Sequence, residues 1–90
     1  MDSRKNMYYT YVLWSKKDKK FYIGYSENLE RRLQEHRKGQ VHTTVRLKAP
    51  ELIFYEAFVS KEDALRREEY FKTTKGKKTL RLMLRASFIC

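Results

Sequence analysis

Ninety residues, 41% of them hydrophobic, suffice for one modest core and exclude two independent domains. The aromatic share of 14%, with seven Tyr and five Phe, excludes a disordered chain. Twenty-one Lys and Arg against eleven Asp and Glu leave a net charge of +10. Such a field attracts nucleic acid first and an acidic membrane surface second, with a merely solubilising basic surface as the plain alternative.

Residues 1–6 are polar and are expected to form a flexible N-terminus. "MDSRKNMYYT" carries no apolar signal core, and no run in the chain approaches membrane-spanning length. "MYYTYVLW" (7–14) is aromatic and β-branched and reads as a strand; "SKKDKK" reads as a charged turn and "FYIGY" (21–25) as a second strand. The two are too close for a crossover, so they pair antiparallel, although the turn lacks an Asn-Gly signal. Ser26 or Asn28 can cap the helix that follows, which runs to about Lys38 and stops at Gly39. "QVHTTVRLKAP" (40–50) is a polar, basic loop, and "ELIFYEAFV" (51–59) a third strand, apolar on both faces for much of its length. Ser60 begins a second helix, where "SKED" has the capping-box spacing with Asp63. "TTKGKK" is expected to break that helix, after which "TLRLMLR" sets Leu80, Met83 and Leu84 at helical spacing. Residues 86–90 form a tail ending in Cys90; as the single cysteine it allows no internal disulfide and fits a reducing compartment, so the protein is expected in the cytoplasm. The order β-β-α-β-α-α over residues 7–85 predicts one small α+β domain, a three-stranded antiparallel sheet flanked by helices, because three strands alone cannot bury both faces.

Three charged or polar side chains sit where apolar ones belong. On a helical wheel of the first helix Leu29, Leu33 and His36 share the core-facing stripe and Arg32 borders it, while Arg31, Glu35 and Lys38 fall opposite. Arg32 and His36 lie one turn apart and can address the same point. The plain reading is an arginine stem lying on the sheet and a histidine satisfied by a backbone partner. In the second helix Glu68 sits in the apolar arc with Ala64 and Phe71, whereas Glu69 lies outside it. A carboxylate there is costly unless it binds a metal or pairs with a cation such as Arg32 or Arg67. Tyr9 and Tyr11 share one face of the first strand; Tyr22 lies on the second, where Gly24 marks a close backbone or ligand approach.

"YTYVL" followed by "YIG" resembles the two signature motifs of the GIY-YIG nuclease superfamily. "YIGYSENLERRLQEHRKG" and "ELIFYEAFVSKEDALRREEYFK" are similar to its small, stand-alone, excinuclease-subunit-C-like members, over about Tyr8 to Arg85. The resemblance implies a GIY-YIG-like fold. It also implies a metal-dependent endonuclease that hydrolyses DNA phosphodiesters with structural or weak sequence selectivity, in repair or recombination. By the same resemblance Tyr11 closes the first motif, Tyr22 and Gly24 belong to the second, Arg32 is the helix arginine, His36 the histidine one turn on, and Glu68 the ligand of Mg²⁺ or Mn²⁺. The chain departs from the pattern at Tyr9 and Thr10, which replace the first motif's glycine and isoleucine, and at Tyr25, where some relatives carry lysine. The asparagine that follows the catalytic helix in some relatives has no clear counterpart.

The chemistry these residues offer is coherent. One carboxylate suffices for a hydrated Mg²⁺. Arg32 can fork onto non-bridging phosphate oxygens. Tyr11 can take a proton from water, Tyr22 can orient that water, and His36 can share the base role or grip a phosphate. Phosphate contacts are expected from Lys16, Lys17, Lys19 and Lys20 in the turn, from Gly24, Lys38, Arg46 and Lys48, from Lys72, and from Lys75, Lys77 and Lys78. His42, Thr43 and Thr44 either touch the backbone or belong to an ordinary loop. The expected partners are DNA or RNA and a protein that targets the substrate, not a membrane. Two other classes compete: a non-catalytic DNA- or RNA-binding module on the same fold, and a basic accessory domain docked on a larger protein. Arg32 together with Glu68 favours the enzyme, since simple phosphate binding has no use for a carboxylate.

Overall fold

Strands and helices alternate in the expected order in the computed structural model, which describes residues 6–39 and 50–89. They are β1 (Tyr8–Ser15), β2 (Lys20–Ser26), α1 (Leu29–Arg37), β3 (Glu51–Phe58), α2 (Lys61–Lys72) and α3 (Thr74–Met83), followed by a 3-10 turn at Ser87–Ile89. The sheet runs β2-β1-β3 with both pairs antiparallel, giving the α+β architecture read from the pattern. β1 is central and correspondingly the most buried strand, with Thr10, Tyr11 and Val12 wholly inaccessible. Its register sets Tyr11 between Gly24 of β2 and Tyr55 of β3. Residues opposite one another share a face, so Tyr9, Tyr11, Gly24 and Tyr55 lie on one side and Thr10, Val12, Ile23 and Phe54 on the other.

The second face carries the core. Val12, Ile23, Phe71, Leu80 and Leu84 pack together, with Phe21, Ile53, Phe54, Tyr70 and Phe88 around them. Thr10 pins α2 to this face by donating its hydroxyl to the Ala64 carbonyl at 2.7 Å. α1 lies against the first face.

The helix ends differ from expectation in two places. At α1 the side chain of Asn28 caps the helix, accepting from the Arg31 N–H at 3.1 Å, while Ser26 braces Asn28 through its backbone N–H at 3.0 Å and carbonyl at 2.8 Å. Gly39 then ends the turn at φ 73°, as its position predicts. Ser60 occupies the N-cap of α2 but makes no side-chain cap hydrogen bond, so the capping box is not formed. Asp63 instead takes Arg66 at 2.8 Å, a charge-assisted contact that holds the carboxylate away from the cap. "TTKGKK" interrupts the helix at one residue only. Thr73 accepts from the Gly76 N–H at 2.9 Å and donates to the Tyr70 carbonyl at 2.6 Å, ending α2 and capping α3 together. A Cβ at Gly76 would collide with the Tyr70 carbonyl, so this joint requires glycine. In the β1–β2 turn, Lys19 supplies the left-handed residue at φ 54° that an Asn-Gly pair would otherwise provide.

Candidate active site

Tyr11 is the centre of the first face. Its ring lies over Gly24, where a Cβ would come within 2.5 Å of both Cζ and the hydroxyl oxygen. The close approach anticipated at Gly24 is therefore that of a side chain of the same protein. Tyr22, two residues earlier on β2 and on the same face, sets its ring 6.3 Å from that of Tyr11. α1 brings His36, only 7% exposed, edge-on to both rings at 5.6 Å and 5.2 Å. Its Nε2 is 2.8 Å from the Tyr11 hydroxyl. One turn earlier, Arg32 donates from Nε to the same hydroxyl at 3.3 Å and from Nη1 to Glu35 at 3.0 Å.

A guanidinium only donates, so the Tyr11 oxygen accepts from Arg32. With the His36 proton on Nδ1 the phenol donates to Nε2, and with it on Nε2 the phenol accepts from both neighbours. Burial, reinforced by the Arg32 charge and opposed by Glu35, holds His36 below its usual 6.5. Burial pushes the Tyr11 phenol up to about 12, although the Arg32 hydrogen bond pulls the other way. Arg32 is itself held more firmly protonated by its bond to Tyr11. A neutral phenol thus stands between a fixed cation and a neutral imidazole.

Glu68 approaches from α2. Its side chain is 18% exposed, and its charge is felt at both Tyr11 and Tyr25. Neither arginine suggested as its partner takes it. Arg32 holds Glu35, and Arg67 holds Glu56 through two hydrogen bonds of 2.8 Å and 3.2 Å while lying 4.4 Å from the Phe71 ring centre. Glu68 pairs with Lys72 one turn on, at 3.1 Å. The structure therefore gathers Tyr11, Tyr22, Gly24, Arg32 and His36 in direct contact and couples Glu68, with Lys72, to them through its charge. Lys38 is exposed at the C-cap of α1. His42, Thr43, Thr44, Arg46 and Lys48 lie outside the described residues.

Two participants escaped the sequence reading. Glu35 starts from the outer side of α1 beside Arg31, and its carboxylate reaches round to Arg32 and is half-buried there; the i,i+3 spacing is the available signal. Thr10, which occupies the isoleucine position of the first motif, proves to be the tie to α2. Elsewhere on the first face, Tyr9, Tyr55, Leu29 and Leu33 line a depression of about 560 Å³ with Glu27 and Glu30 at its rim. No helix of the described residues is long and apolar enough to cross a membrane.

A family model described as the GIY-YIG catalytic domain matches residues 7–81. The UPF0213 protein in ldhD 5′ region of Pediococcus acidilactici is 37% identical over 82 residues, spanning 88% of this chain and 83% of that protein. A UPF0213 protein of Limosilactobacillus reuteri is 44% identical over 68 residues, 72% of this chain and 70% of the relative. The solution NMR structure of a UPF0213 protein from Bacillus halodurans is similar with a TM-score of 0.54 at 31% identity, covering 86% of this chain and 84% of that one.

Proposed function

The chain belongs to the GIY-YIG catalytic-domain family, among its small single-domain UPF0213 members, and on that premise we propose that it is a metal-dependent endonuclease acting on DNA. The observation that carries this reading is the Arg32–Tyr11–His36 chain of hydrogen bonds, which the Glu68 charge reaches electrostatically. Phosphodiester hydrolysis needs a water stripped of a proton and relief of negative charge on the phosphoryl oxygens. Tyr11 is inaccessible in the free protein, so substrate binding must open a path for water to its oxygen; with the His36 proton on Nδ1, Tyr11 then takes the proton from water while passing its own to His36 Nε2, and the phenol never has to exist as a free phenolate. His36 is the terminal base, and its lowered pKa keeps it ready to accept at neutral pH. Arg32 holds the Tyr11 oxygen with Nε and offers its remaining N–H groups to non-bridging oxygens. Tyr22 packs against the imidazole and keeps it aligned.

Among the described residues no group of three or more His, Cys, Asp or Glu side chains converges as a closed metal cage. Glu68 alone, partly exposed and near the phenols, fits a Mg²⁺ or Mn²⁺ ion that keeps most of its waters. Held there, such an ion would supply Lewis-acid polarisation of a phosphate oxygen and charge relief for the leaving oxygen. Lys72, which neutralises Glu68 in the free protein, then turns to phosphate. The lysines of the β1–β2 turn and of α3 give backbone affinity without reading sequence, so the substrate is selected by structure or only weakly by sequence. The setting is DNA repair or recombination in the cytoplasm.

The test is cleavage of labelled duplex, nicked, branched and single-stranded DNA, with matching RNA, by the wild type and Arg32→Ala. The reading predicts metal-dependent cutting by the wild type and its loss in a variant that stays folded. An Arg32→Ala protein that merely unfolds would return Arg32 to a packing role.

A further inference from the structure

Glu35 stands outside every role assigned so far. Its carboxylate accepts from Arg32 Nη1 at 3.0 Å, and its other oxygen lies 3.8 Å from Arg31 Nε on the solvent side. Its side chain is 31% exposed, so water does not fully screen the contact. Arg32 is a long, flexible side chain whose other anchor is a 3.3 Å bond to a neutral phenol. The carboxylate contact is the shorter of the two and is charge-assisted on both sides. Together they hold adjacent nitrogens of one planar group and fix its plane. Among the described residues Nη2 has no partner.

We propose that Glu35 is a positioning residue, orienting the Arg32 guanidinium so that Nε meets Tyr11 and Nη2 meets the phosphate. A carboxylate this close to an anion site weakens phosphate binding in the ground state. What it contributes is orientation at the moment charge develops. The proposal rests on the nuclease reading above. It sets a signature that a fold-only role does not produce: without Glu35 the protein binds nucleic acid as tightly or more tightly, yet turns it over more slowly.

The experiment compares wild type, Glu35→Ala and Glu35→Gln on a DNA substrate that the wild type cuts, alongside NMR of the Arg32 Nε–H and a pH titration of the His36 ring. Among the described residues, the groups beside His36 include Tyr11 of β1, Tyr22 of β2, Arg32 and Glu35 of α1, and, around a shared depression, Arg37 and Glu51. Glu35→Ala is expected to lower kcat about tenfold with KM unchanged or reduced, to broaden the Arg32 Nε–H signal, and to lower the His36 pKa. Glu35→Gln, which still accepts from Nη1, restores most of kcat while leaving the His36 pKa low. Equal kcat for wild type and Glu35→Ala overturns the proposal, as does an unmoved Arg32 signal or a Gln variant as slow as Ala. A wild type that cuts nothing overturns the nuclease reading instead, and the two failures are told apart by that control.

Discussion

Replacing Gly24 with alanine tests the placement of Tyr11 most sharply. The new Cβ would sit 2.5 Å from the Tyr11 Cζ and hydroxyl oxygen and 3.0 Å from Cε1. Comfortable carbon contacts lie at roughly 3.5–4.0 Å, so the ring or the β2 backbone must retreat by about 1 Å. The ring has little freedom to do so, being fully buried and held at its tip by His36 and Arg32. Overpacking of this kind costs roughly 1–3 kcal/mol. In a domain of this size each kcal/mol lowers Tm by about 4–8 °C, so circular dichroism melting of Gly24→Ala should show a fall of roughly 5–20 °C. A displacement of that size disturbs the 2.8 Å contact with His36. The accompanying loss of turnover is about 100-fold, beyond what the stability loss explains. A variant with unchanged Tm and unchanged His36 ring signals would refute the placement of Tyr11 over β2, and with it the proton path.

The remaining predictions are simpler. Turnover should fall on the acid side with an apparent pKa below 6.5, because burial and the Arg32 charge lower the His36 pKa and a protonated imidazole cannot accept from Tyr11. Stability follows the same sign: the unfolded chain takes this proton first, so the His36 contribution is complete above 6.5 and is lost as pH falls through the lower folded value. Urea unfolding of wild type against His36→Gln across that window checks it, and identical pH slopes would contradict it. Lys19→Gly should stabilise by up to about 1 kcal/mol by removing a side chain from the left-handed region; a lower urea midpoint would show that the lysine side chain matters more than the backbone. Affinity for DNA should fall steeply between low and physiological salt, as phosphate contacts by lysines require, and a flat response would count against backbone binding.

Much of the fold was legible because it depends on local chemistry. Aromatic and β-branched runs broken by a lysine-rich turn define the hairpin, and Asn28 and Gly39 delimit α1. The wheel also separated Arg32 from Arg31 and Glu68 from Glu69, since a polar residue on an apolar stripe is anomalous whatever the fold. Other features depended on competition that a linear reading does not weigh. Asp63 had the spacing of a capping box, but Arg66 holds it. "TTKGKK" does break the helix, but only the structure shows that Thr73 and the Gly76 clearance confine the break to a one-residue joint. The pairing of Glu35 with Arg32 was not legible because a wheel records where a side chain starts, not where two methylenes and a guanidinium partner take it. The reason for Gly24 needed the register, because only the pairing with Tyr11 shows what its missing side chain accommodates.

The central claim is that Glu68 supplies the metal-dependent step beside a proton relay from Tyr11 to His36. The most direct measurement is cleavage of the labelled DNA and RNA panel with Mg²⁺ or Mn²⁺ by the wild type beside Glu68→Ala, with DNA binding measured in parallel. The account predicts metal-dependent cutting by the wild type and none by the variant, while binding and Tm are retained. Unchanged cutting by Glu68→Ala would contradict the role given to that carboxylate. Tight, salt-sensitive binding with no cutting by either protein would contradict the enzyme itself, leaving a nucleic-acid-binding module on a nuclease fold.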